Sequence, residues 1–143
     1  MKVNKFGIHI KVSNFDKSYK FYKKFNFKEL FAYGPKSFIN KIDKKIPTAK
    51  EKYRGLVFEL GSSLFELAEG HIAVKPSVFK EDIKSSKISA MIHIDKIDNL
   101  IKICSRENIK ISVPERIFPW GTKELVIKDP DGFVLVFIEK LSN

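Results

Sequence analysis

The sequence holds a single cysteine, Cys104, so no internal disulfide can close. A chain this poor in cysteine suits a reducing compartment, and a cytoplasmic location is expected. Nowhere do about 18 apolar residues follow one another, which leaves no membrane-spanning helix to expect. The opening stretch, "MKVNKFGIHIKV", lacks an apolar core followed by a small-residue cleavage site, so no signal peptide is expected. Arginine is scarce as well: of 27 basic residues only Arg54, Arg106 and Arg116 are arginines. A formal net charge of +10 would suit a nucleic-acid surface. Base readers, however, favour the forked guanidinium, and single-strand binders set aromatics among their basic residues. The lysines here are scattered through every segment, so nucleic acid is not the expected partner. A phosphate-binding Gly-rich loop, a nucleophile elbow and a cysteine pair for zinc are also missing. Cys104 itself lies inside a helical pattern and reads as packing.

What remains is a chain of 143 residues, 43% hydrophobic and 31% charged, long enough for one domain with a sizeable core. In "KFGIHIKV" the residues Ile8, Ile10 and Val12 share one strand face, and Gly7, His9 and Lys11 the other. Asn14 is a plausible helix cap. After it Phe15, Tyr19, Tyr22 and Phe25 repeat at helical spacing, with Lys17, Lys20, Lys23 and Lys24 on the far side. "FKELFAY" reads as a strand, residues 34–53 as a long polar connection, and "YRGLVFELGSSLFELAE" as a hairpin.

The second half repeats this order. "KISAMIHI" is a strand, and "KIDNLIKICSREN" a helix with Ile97, Leu100, Ile101 and Cys104 inward. "KISVPERIF" is a strand, and "KELVIKDPDGFVLVFIE" a hairpin turning on Asp-Pro-Asp-Gly. A shift of 82 places Val12 on Ile94, Phe15 on Ile97, Asp16 on Asp98 and Phe21 on Ile103. The hairpins superpose at a shift of 70, Glu66 on Val136 and Glu69 on Glu139, so the first half carries 12 extra residues that the 34–53 connection can supply. The expected fold class is therefore α+β, two tandem β-α-β-β-β modules, at about 1–69 and 88–143, joined by a linker at about 70–87.

Two stretches carry a resemblance to a known family. "HIKVSNFDKSYKFYKKFNFKEL" is similar to the opening of vicinal-oxygen-chelate proteins, and "WGTKELVIKDPDGFVLVFIE" to their closing signature. That superfamily includes glyoxalase I, extradiol dioxygenases, fosfomycin-resistance enzymes and bleomycin-binding proteins. The resemblance implies one glyoxalase/bleomycin-resistance-like domain over 1–143, in which each module curls a mixed sheet around a cavity with its helices outside. It also implies a homodimer. On that expectation Phe133, Leu135 and Phe137 pack against a helix, while Val134, Val136 and Ile138 line the cavity.

Metalloenzymes of the family take their ligands from the first and last strand of each module. Carried over, those places are Gly7, Glu66, Ser89 and Val136, and only Glu66 can ligate. His9, Glu66 and His93 form the substitute set, two imidazoles and one carboxylate. By strand rise, though, His9 sits about 6.6 Å and His93 about 13 Å from the expected ligand positions. No metal or other cofactor is therefore the first expectation. The chain is read as binding a small aromatic or anionic molecule through His9, Lys11, Glu66, Met91, His93, Phe118, Trp120 and Val136. The alternative is a lyase, isomerase or dioxygenase using a divalent ion on His9, Glu66 and His93. No catalytic residue is assigned.

Overall fold

The computed structural model describes residues 1–84 and 87–141. Ser85 and Ser86 of the expected linker, and Ser142 and Asn143 at the end of the expected second module, lie outside them. The chain is α+β and divides into two compact units, Met1–Glu81 and Asp82–Asn143. Among the described residues no helix is long and apolar enough to cross a membrane.

The first unit holds β1 (Gly7–Lys11), α1 (Phe15–Lys23), β2 (Lys28–Gly34), a short α2 (Lys36–Ile39), β3 (Thr48–Lys50), β4 (Gly55–Leu60) and β5 (Ser63–Ala68). Its sheet runs β1-β5-β4-β2-β3. The second unit holds β6 (Ser89–His93), α3 (Ile97–Arg106), β7 (Ile111–Phe118), β8 (Thr122–Lys128) and β9 (Val134–Lys140), with sheet order β6-β9-β8-β7. The two orders are the same once β3 is set aside. Residues 34–53 are thus more than a polar connection. They fold α2, bury Phe38 and Ile42, and add β3 as a parallel edge strand beside β2. The 70–87 segment carries a 3-10 turn at Pro76–Lys80, fixed by the buried Phe79 and by Lys80 Nζ donating to Ser13 O at 2.6 Å.

The internal repeat extends to single residues. β1 pairs with β5 at a separation of 57 (Gly7 with Leu64), and β6 with β9 at 45 (Ser89 with Val134), a difference of 12 as the two alignment shifts require. Asn26 and Asn108, 82 apart, both adopt left-handed backbone just after a helix, at φ 55° and 53°. Asparagine tolerates that conformation through its short polar side chain. An ion triad recurs too. Arg54 bonds Asp16 at 2.9 Å and Glu69 at 2.7 Å, while Lys123 meets Asp98 at 2.7 Å and Glu139 at 3.7 Å. In each unit one cation ties the first turn of the helix to the end of the last strand.

Local chemistry explains the helices. Asn14 Oδ1 accepts from Lys17 N at 3.0 Å, with Asp16 in the first turn and Lys20 and Lys23 in the last, which suits the helix dipole. The residue before α3, Lys96, offers no such cap, and Glu139 Oε2 accepts from Ile97 N at 2.7 Å instead. That N–H, with Lys96 next, holds the Glu139 carboxyl below the usual range. Inward from α1 lie Phe15, Tyr22 and also Ser18, all buried, with Tyr22 against Phe58 and Phe65 and Phe15 against Phe38. Burying each large apolar side chain contributes about 1.5–3 kcal/mol. Tyr19, expected on that face, is half-buried and donates to Glu29 Oε1 at 2.9 Å. From α3, Ile97, Leu100 and Cys104 are buried and Ile101 is half-buried.

The apolar run of β9 follows from its two faces. Leu135, Phe137 and Glu139 share the face that carries the α3 cap and are all buried. Val134, Val136 and Ile138 fall on the other face, with Val136 level with Met91.

Candidate functional site

The first unit carries a cleft of about 410 Å³ on the sheet face bearing His9 and Glu66. Strand parity selects its floor. His9 on β1 lies level with Glu66 on β5, Glu66 with Val57 on β4, and Val57 with Phe31 on β2. Tyr33, two residues beyond Phe31, lies level with Gly55. Ala49, Lys50, Glu51 and Tyr53 supply one wall, and Gly70, His71 and Ile72 another. The first of these walls comes from the residues that the second unit lacks.

Two glycines set the aromatic walls. A Cβ on Gly55 would overlap the Tyr33 ring, and one on Gly70 the Tyr53 ring, so each ring lies directly against bare backbone. The Tyr33 hydroxyl donates to Glu66 Oε1 at 2.7 Å. Burial, then that bond, pushes the Tyr33 hydroxyl above its ordinary range, so it stays a donor near neutrality. Desolvation is the largest influence on His9 and pushes its pKa down; Glu66 opposes it, while Lys11 and His71 add to it. His9 and His71 meet edge to face with ring centroids 6.4 Å apart. Ala73 N donates to His71 Nδ1 at 3.1 Å, which places the His71 proton on Nε2.

Of the residues expected to bind ligand, the cleft gathers His9 and Glu66, and the half-buried Lys11 shares their sheet face. By strand rise His9 stands about 6.6 Å from Gly7, the expected ligand position, and the parallel register sets His9, not Gly7, directly opposite Glu66. Gly7, the position the resemblance assigned to a ligand, faces Leu64. In the second unit Met91 is 67% exposed and lies level with Val136, and the exposed His93 lies level with Ile138. Phe118 and Trp120 stack on each other at 4.6 Å around the turn from β7 to β8, and Trp120 Nε1 donates to Glu124 Oε1 at 3.2 Å. Sequence reasoning missed Phe31, Tyr33, Lys50, Tyr53 and His71. Parity along "FAY" could have found the first two. The others stand in segments whose course only the fold fixes.

The donors present do not fit a divalent ion. Of the four positions the resemblance names, Gly7, Ser89 and Val136 have no ligating side chain suited to one. Glu66 has Oε1 engaged by Tyr33, and among the described residues no three His, Cys, Asp or Glu side chains come together as a metal site.

This geometry stands on the scaffold that the family comparisons recognise. Residues 5–137 match the Glyoxalase/Bleomycin resistance protein/Dioxygenase superfamily, and the chain belongs to that superfamily. Among solved structures it resembles a mutant of glyoxalase I from Zea mays (19% identity, TM-score 0.66, covering 97% of this chain and 45% of that one). It also resembles a mutant of the genomically encoded fosfomycin resistance protein FosX from Listeria monocytogenes, complexed with Mn(II) and a dihydroxypropylphosphonic acid (14% identity, TM-score 0.62, covering 99% of this chain and 93% of that one). A third relative is the bleomycin resistance determinant encoded on the transposon Tn5 (16% identity, TM-score 0.57, 98% of each chain). At such identities the likeness establishes the fold. No curated protein sequence matches the chain significantly.

Proposed function

We propose that this superfamily member binds a small organic molecule in the first-unit cleft and carries no resident metal. The observation that carries the reading is the cleft itself. Its volume, about 410 Å³, falls within the range of small-molecule sites, and it sets aromatic walls around a few convergent polar groups. The donor set supports the metal-free part: Glu66 has one oxygen tied to Tyr33, and among the described residues no three His, Cys, Asp or Glu side chains come together as a metal site. Protein acting in this way would sequester its ligand rather than transform it. We propose further that it does so as a cytoplasmic homodimer, which light scattering after size exclusion checks.

The cleft is tested by titration with the fluorescent anion 1-anilinonaphthalene-8-sulfonate. Binding is expected to saturate at one site per chain and to weaken at least about ten-fold in Ala49→Trp, which fills the cleft from the exposed β3. Equal binding by both proteins would put the site elsewhere. Metal analysis of protein purified without chelator is expected to show no stoichiometric ion. One tightly held divalent ion per chain, lost in Glu66→Gln, would overturn the metal-free reading in favour of the enzymatic alternative.

A further inference from the structure

We infer that the ligand of this cleft is a planar aromatic acid, its ring against Tyr33 and Tyr53 and its carboxylate held by Lys50 and His71. The inference rests on the reading that the cleft is the binding site, and it narrows the ligand to one chemical class.

The flat shape follows from the two glycines. Because Gly55 and Gly70 have no Cβ, each tyrosine ring occupies space a side chain would fill, and both rings line the cleft. The Tyr33 ring is also held at its far end by Glu66. The Tyr33 ring is a fixed aromatic surface, and the Tyr53 ring, with Lys52 Nζ 5.2 Å from its centroid, is a second beside a cation; both favour a ring over an aliphatic chain, since stacking adds to simple burial.

The sign of the ligand follows from which polar groups already have partners. Both carboxylates in the lining are partly engaged: Glu66 Oε1 accepts from Tyr33, and Glu51 Oε1 accepts from Lys52 N at 2.6 Å. The donors are not. The Lys50 side chain has no ion pair or hydrogen bond among the described residues, although Lys50 lines the cleft. His71 has its Nδ1 engaged by Ala73 N, so its outward nitrogen carries the proton and can only donate. Lys50 and His71 thus leave donors open to an acceptor, and an acid's carboxylate supplies one with a charge that Lys50 complements. The chain's net charge of +10 draws an anion in the same direction. The remaining oxygen of Glu66 is open to a donor, so a hydroxyl on the ring would add to binding. An ammonium ligand would instead meet the charge of Lys50.

Calorimetric titration of the full chain with 2-naphthoate, 6-hydroxy-2-naphthoate, 2-naphthylmethylamine and cyclohexanecarboxylate tests this. The two aromatic acids are expected to bind one per chain, roughly ten-fold or more tighter than the amine and than the alicyclic acid. Lys50→Gln, a change on an exposed strand, is expected to weaken 2-naphthoate about ten-fold and to strengthen the amine, whose repulsion by the lysine it removes. An amine that binds as well as the acid, or acid binding that ignores Lys50→Gln, overturns the inference while the cleft remains the site. If none of the four binds, and Ala49→Trp leaves 1-anilinonaphthalene-8-sulfonate binding intact, the cleft reading itself falls and the inference with it.

Discussion

Gly55 offers a perturbation whose effect should change sign with its neighbour. In the native chain a methyl group at position 55 overlaps the tip of the Tyr33 ring, so the ring must swing away. That movement breaks the bond from the Tyr33 hydroxyl to Glu66 Oε1. A hydrogen bond to a charged group is worth about 1.5–3 kcal/mol. Against this, alanine gains up to about 0.5–1 kcal/mol over glycine in a strand, and Gly55, the first residue of β4, is paired on both sides. Gly55→Ala should therefore destabilise by about 1–2 kcal/mol, which for 143 residues lowers Tm by roughly 3–8 °C. With Tyr33→Ala as background nothing fills the space above position 55, and Gly55→Ala should then stabilise by about 0.5–1 kcal/mol. Urea unfolding followed by far-ultraviolet circular dichroism on the four proteins of the cycle gives both values. Destabilisation of equal size in both backgrounds would refute the reasoning, because the glycine would then serve the backbone and not the ring.

Two further outcomes follow from groups placed without full compensation. Ser18 is fully buried on the inner face of α1 and its hydroxyl has no hydrogen-bond partner, so Ser18→Ala should raise stability by about 1 kcal/mol, measured by the same unfolding; a loss of that size would mean the hydroxyl has an acceptor after all. His9 takes up a proton more readily unfolded than folded, because desolvation lowers its native pKa from 6.5. More protons bind the unfolded chain in that window, so its contribution is intact above about pH 7, declines as pH falls through 6.5, and levels off below the native value. A pH series of urea midpoints should show that decline shrinking in His9→Gln, and an unchanged series would refute the assignment.

The fold was legible because its signals are periodic and local. The spacing of Phe15 and Tyr22, the cap at Asn14 and the Asp-Pro-Asp-Gly turn each specify their element without help from distant residues. The paired shifts of 82 and 70 carried the strand register as well, since the separations in β1–β5 and β6–β9 differ by the same 12 residues. The site was legible only in part. His9 and Glu66 stood out as chemistry on strands of known parity, but strand rise says nothing of the register that sets His9, rather than the family ligand position Gly7, opposite Glu66. Lys50 and Tyr53 sit in a stretch with no periodicity, where the parallel pairing of β3 to β2 decides what faces the cleft. His71 lies past the last strand, in a turn fixed by its own ring nitrogen. Such turns leave no pattern to read.

The recurring ion triad divides the residues of this molecule into two kinds. What both halves keep is architecture: a carboxylate in the first helical turn, a cation, a glutamate on the closing strand, and an asparagine after the helix. What only one half has is the equipment of the cleft, since the partners matching His9 and Glu66 in the other are a methionine and a valine. A scaffold doubled in this way acts as its own control: one copy is free to specialise, and its sibling records how the same frame looks with the equipment stripped out.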